Sequence, residues 1–193
     1  MKKYIFLFCL LLTVTRGFSQ FAKDSADLIN RLEIFMQYNR NANFEKVMDY
    51  IYPKLFTIAP KEQIQEAMES VFNSDELTIK MDSLKTEKVY PLFASGNNRY
   101  AKINYSLIML MSPKQQDDST DLGMLVPMMQ TQFGDENVRF DKKTKTLTIY
   151  QKVDMAAIKD ELSPEWTFFN LKKGDPMMDL LLDKELLSKF YSY

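Results

Sequence analysis

Five methionines crowd one stretch of this sequence: Met109, Met111, Met124, Met128 and Met129. A thioether on an unbranched chain adapts its shape and polarises readily, so such a group suits an accommodating apolar pocket or partner groove as well as ordinary core filling. Between its members lie Asp117, Asp118 and Asp121, carboxylates that invite a calcium site. They lack the alternating ligands and the loop glycine of an EF-hand, so a solvated loop with Ser119 or Thr120 capping the next helix is the expectation, and no metal or other cofactor is expected anywhere. Trp166 is read as a core residue.

Other chemistries are closed by composition. The 193 residues include no His, which removes Ser-His-Asp and Cys-His catalysis, imidazole metal ligation and a histidine pH switch. The one Cys, Cys9, lies in the N-terminal apolar run, so no disulfide or thiolate chemistry is expected of the mature chain. Five glycines, at 17, 96, 123, 134 and 174, are too scattered for a phosphate-cradling loop. Neither a Gly-x-Ser-x-Gly elbow nor a Ser-x-x-Lys pair occurs.

The start of the chain reads as an address. Lys2 and Lys3 precede an apolar run from Tyr4 to Leu12, and small residues stand at Gly17 and Ser19. This pattern predicts a signal peptide over residues 1–19, cleaved before Gln20, and an exported protein of the periplasm or extracellular space. The apolar run is well short of the roughly 20 residues a spanning helix needs, so no membrane span is expected after its removal. Lys2, Lys3 and Arg16 leave with the peptide, so 22 basic residues face 26 acidic ones. That balance argues against nucleic acid, whose phosphates demand clustered Lys and Arg. Residues 20–193 fit one domain, large enough to bury a core without staples.

The elements that must position these groups fall in two blocks. Asp24 or Ser25 can cap a helix with Leu28, Ile29, Leu32, Phe35 and Met36 on one face. Asn43 caps a second, carrying Phe44, Val47, Met48 and Ile51 and stopped by Pro53. Pro60 opens a third, with Ile64, Ala67, Met68, Val71 and Phe72. Strands follow: Leu77–Met81, Val89–Ala94 with Pro91 at an edge or bulge, a long one over Tyr100–Met111, a hairpin of Val138–Asp141 and Leu147–Val153, and Glu165–Leu171. In the long strand Ile103, Tyr105, Leu107, Met109 and Met111 share a face, while Ile108 and Leu110 suggest cover on the other face at its far end. The segment Leu122–Phe133 looks helical, with Pro127 forcing a late start or a kink. Asp183 caps a last helix holding Leu186, Leu187 and Phe190. Helices ahead of an antiparallel sheet predict an α+β domain, with one helical insertion between strands.

This order, with Asn41-Ala42-Asn43-Phe44-Glu45-Lys46-Val47 and Asp49-Tyr50-Ile51-Tyr52-Pro53 at its entry, resembles the nuclear transport factor 2-like superfamily, the cone-shaped α+β fold of ketosteroid isomerases and polyketide cyclases. Phe133-Gly134-Asp135-Glu136-Asn137-Val138, Met155-Ala156-Ala157-Ile158 and Trp166-Thr167-Phe168-Phe169 resemble its exported bacterial members. The resemblance spans about residues 24–190 and implies a bent sheet forming a cone with helices over it. It leaves function open, because this fold hosts enzymes, carriers and interaction modules. An isomerase- or cyclase-like site would need an Asp base beside a Tyr hydroxyl; Asp49 with Tyr38, Tyr50 or Tyr52 offers that pair. By subtraction the leading expectation is a non-catalytic binding module for an apolar small molecule or a partner protein. Its expected binding residues are Tyr105, Met109, Met124, Met128 and Met129, the last three forming a rim or lid on Leu122–Phe133.

Overall fold

The computed structural model describes residues 2–114 and 122–193, with side chains from Phe21 onward. The aspartates Asp117, Asp118 and Asp121, and the caps proposed at Ser119 and Thr120, lie outside the described residues. The architecture is α+β, with helices packed on a six-stranded antiparallel sheet.

Helix α1 covers Lys2–Arg40. Its apolar stripe works as the 3.6 spacing requires: Leu28, Leu32, Phe35 and Met36 are buried, while Ile29 is left 45% exposed. Asp24 and Ser25 cap nothing, because the helix runs unbroken through them; Asp24 is turned into the protein instead. Asn41-Ala42-Asn43 ends it, with Ala42 in the left-handed region at φ 50°. Asn43 then caps α2 (Phe44–Val47), its side-chain oxygen accepting the Lys46 N–H at 3.2 Å. Two 3-10 turns, Met48–Tyr50 and Pro53–Thr57, lead to α3 (Lys61–Phe72). Helix α3 has no fully buried residue. Ile64, Met68 and Phe72 are half-buried, but Ala67 and Val71, expected on the same face, point to solvent.

The strands are β1 (Leu77–Val89), β2 (Phe93–Ser95), β3 (Asn98–Pro113), β4 (Val138–Asp141), β5 (Thr146–Lys159) and β6 (Thr167–Leu171). Their order is β1-β3-β5-β4, with β2 beside β3 past the end of β1 and β6 beside β5 past the end of β4. Strand β1 is longer than its alternation suggested, because two register shifts, at Met81/Ser83 and Thr86/Lys88, absorb the breaks in pattern. Such bulges bend a strand. Together with exposed Lys80, Asp82, Lys85, Glu87 and Lys88 they blunt an edge that would otherwise template further pairing.

Directly paired residues of an antiparallel sheet share a face. The register therefore puts Leu84, Tyr105, Leu107, Met155 and Phe168 on one face, under α1, α2 and α3. The same face continues to Ile79, Met109, Met111, Leu147 and Ile149, where the insertion packs. That insertion is a 3-10 turn, Leu122–Leu125, followed by α4 (Val126–Phe133). The conflict at Pro127 resolves as a late start, since a proline in the first turn has no hydrogen bond to lose. Among the described residues the opposite face is covered at one end, by α5 (Met177–Leu181) and α6 (Lys184–Tyr191). There Ile158, Phe169, Leu181, Leu187 and Phe190 form a second core. Asp183 caps α6 as its position suggests, accepting the Leu186 N–H at 2.8 Å. Among the described residues nothing buries the second face at the far end of β3: Ile108 and Leu110 are half-buried and join none of the core clusters.

Candidate functional site

Between the helices and the sheet lies a cavity of about 290 Å³. Its roof is Phe35, Met36 and Asn39 of α1, with Val47, Ile64 and Met68 from the two following helices. Its floor is Met81, Leu84, Tyr105, Leu107 and Met155 of the sheet. Ile51, Leu55, Met177, Phe169 and Asn170 close the side at the β6 edge. The loop after α2 is tied there by an Ile51–Phe168 bridge and by the Tyr52 N–H donating to the Phe168 carbonyl at 3.1 Å.

Three polar side chains interrupt this apolar surface. The Tyr105 hydroxyl donates to Asn170 Oδ1 at 3.0 Å. Asn39 donates to the Phe35 carbonyl one turn back, at 2.8 Å. Among the described residues no Asp, Glu, Lys or Arg contributes to the lining. Burial pushes the Tyr105 hydroxyl up to about 12, so it stays a neutral phenol at any physiological pH. A phenol whose folded pKa exceeds its unfolded value near 10 holds its proton more tightly when folded. The stability this confers is complete below pH 10 and is lost as the pH climbs to about 12, by roughly 2–3 kcal/mol. Alkaline unfolding should show that fall, and Tyr105→Phe should make it shallower.

Of the five expected binding residues, Tyr105 alone lines the cavity. Met109 and Met129 pack in the cluster beneath the insertion, with Met111, Leu122, Val138, Leu147 and Ile149. Met124 and Met128 face solvent, 79% and 55% exposed. The insertion does lie against the sheet face that Met109 and Met111 share, but past the cavity, as core rather than rim. Leu122→Ala should therefore cost about 2–5 kcal/mol, while Met124→Ser stays within about half a kcal/mol; denaturant melts separate the two. The lining does carry five methionines, but they are Met36, Met68, Met81, Met155 and Met177, brought together from five separate elements.

The acid–base pair of the alternative reading is not assembled at the cavity. Asp49 is exposed and accepts from Lys61 Nζ at 2.9 Å. Tyr50 and Tyr38 lie ring against ring, centroids 5.7 Å apart. Tyr52 does donate to a carboxylate, Asp160, at 2.7 Å, and burial foremost, then this bond, holds its pKa above the ordinary phenol value. Neither residue lines the cavity, and Asp160 is occupied in closing its own turn through the Leu162 and Ser163 N–H groups.

A second hollow, about 320 Å³, lies beside α1 and is lined by Asp27, Asn30, Arg31, Ile34, Lys159, Pro164, Glu165 and Trp166. Its cations are committed: Arg31 pairs with Glu165 and bonds the Trp166 carbonyl, and Lys159 pairs with Asp24 at 2.8 Å. The apolar cavity is therefore the better candidate site. No protein-family model matches the chain, and no curated protein matches it.

Proposed function

We propose that this chain is an exported, non-catalytic binding module that holds an apolar small molecule between its helices and its sheet. The observation that carries the proposal is the lining itself: among the described residues it has apolar side chains, three neutral polar groups and no ionisable acid or base within the physiological range. Ligand pockets combine an apolar wall with a few orienting polar groups in this way. Methionine is the adaptable component, and five of them let the wall refit around occupants of somewhat different shape. An Asp–Tyr isomerase would need a carboxylate in reach of a Tyr hydroxyl inside the cavity, and the lining offers none.

Helices preceding an antiparallel sheet, with a cavity between them, support the resemblance to the nuclear transport factor 2-like superfamily. The basic start, short apolar run and small residues at Gly17 and Ser19 support export. Protein purified from its native compartment and extracted with organic solvent should release a neutral apolar molecule in near-stoichiometric amount. Its intact mass should correspond to a chain starting at Gln20. Solvent extracts indistinguishable from those of an unrelated protein of the same preparation would count against the binding module, and a chain beginning at Met1 against export.

A further inference from the structure

We infer that Met124 and Met128 are sites of methionine sulfoxide formation, where peroxide is consumed before it reaches the methionines of the cavity wall. Composition narrows the targets. From Phe21 onward the chain has no Cys, and Trp166 is buried, so thioethers are the readily oxidised side chains that a peroxide meets. Burial then ranks them. Met124 and Met128 are the exposed methionines among the described residues. They stand four residues apart on the insertion, and neither packs into a core cluster, whereas Met129 beside them does. In the cavity wall Met36 and Met155 are buried, and Met68, Met81 and Met177 are half-buried.

The reaction is an oxygen transfer. With hydrogen peroxide the O–O bond breaks, one oxygen forms the S–O bond of the sulfoxide, and the other leaves as water with both protons. The thioether gives up two electrons and the peroxide takes them, so no other co-reactant is needed. The peroxide must touch the sulfur, which puts an exposed thioether ahead of a buried one. The consequences differ as well. A sulfoxide is polar and chiral. On Met124 or Met128 its oxygen stays in water and disturbs no packing. In the cavity wall it would set a strong acceptor among apolar neighbours, where an unpaired polar group is costly. The order of oxidation stands on exposure alone; the guarding of the wall rests on the cavity being the binding site.

Graded hydrogen peroxide on the purified protein, with sulfoxide located by fragment-ion mass spectrometry of its peptides, tests both parts. Sulfoxide at Met124 and Met128 should accumulate severalfold faster than at any methionine of the cavity wall. The melting temperature should stay unchanged while only those two are oxidised. A dose of one equivalent per exposed methionine then compares wild type with the double variant Met124→Leu/Met128→Leu. The variant should carry more sulfoxide at Met68, Met81 and Met177, and should lose more of its binding to 2-acetylnaphthalene, a neutral apolar probe of the cavity. Oxidation of the wall methionines as fast as Met124 and Met128, or ahead of them, overturns the assignment. Equal wall sulfoxide in the two proteins overturns the guarding role. Sulfoxide mapping needs no ligand, so a wild-type protein that fails to bind the probe counts against the binding module and not against the oxidation sites. The wild-type map decides the assignment even if the variant fails to fold.

Discussion

Replacing Asp24 by Ala should destabilise the protein by about 3–5 kcal/mol. Asp24 is 2% exposed, and its carboxylate faces two cations, Lys159 Nζ at 2.8 Å and Arg99 Nε at 3.5 Å. Its backbone carbonyl accepts the Trp166 indole N–H at 3.0 Å, so helix α1, the end of β5 and the segment entering β6 meet at this residue. Removing one member of a buried ion pair leaves the others desolvated without compensation, which costs far more than the pair itself is worth. An exposed pair sets the contrast. Lys61 and Asp49 are 2.9 Å apart with side chains 40% and 54% exposed, so Lys61→Ala should cost less than about 1 kcal/mol. Urea melts of the two variants provide the comparison.

Phe168→Ala should cost a similar amount, about 3–5 kcal/mol, by a different mechanism. Its ring is fully buried and stacks on Phe35 with centroids 4.9 Å apart, joining α1 to the short strand β6. The backbone beside it receives the Tyr52 N–H and the bridge from Ile51, which hold the cavity's side wall. A void there removes transfer energy and packing together. Ile29→Ala, on the exposed side of α1, should stay within about half a kcal/mol. An unchanged urea m-value in the Phe168 variant would show that stability, rather than denatured-state compactness, has changed.

How much of this was legible in the residues depends on whether the signal was local. Helix faces are local: Leu28, Leu32, Phe35 and Met36 were readable from their spacing and all are buried. So were the caps at Asn43 and Asp183, which need only a side-chain oxygen and a nearby N–H. Tyr105 was legible as an inward position on a long alternating strand. The remaining lining was not. Methionines adjacent in sequence suggested a common site, yet a short helix turns its residues to opposite sides, so Met129 went inward while Met124 and Met128 went to solvent. The five that do meet come from α1, α3, β1, β5 and α5, and only strand register and helix placement bring them together. Helix α5 escaped notice because five residues are too few for a periodic pattern. Asn170 looked like any polar residue alternating with Phe169 and Leu171; the Tyr105 hydroxyl from which it accepts lies 65 residues earlier in the chain. Asp24 looked like a helix cap because its type fits one, and its burial against Lys159 and Arg99 is a tertiary fact.

On this proposal a ligand binds in the cavity and not on the methionine-bearing insertion. Titrating isotopically labelled protein with 2-acetylnaphthalene and following backbone amide shifts tests it most directly. Saturable shifts are expected at Phe35–Asn39, Met81–Leu84, Tyr105–Leu107 and Asn170, all with one dissociation constant, while Met124–Met129 stays unmoved. Saturable shifts centred on Met124, Met128 and Met129, or shifts that grow linearly across the whole surface without saturating, would contradict it.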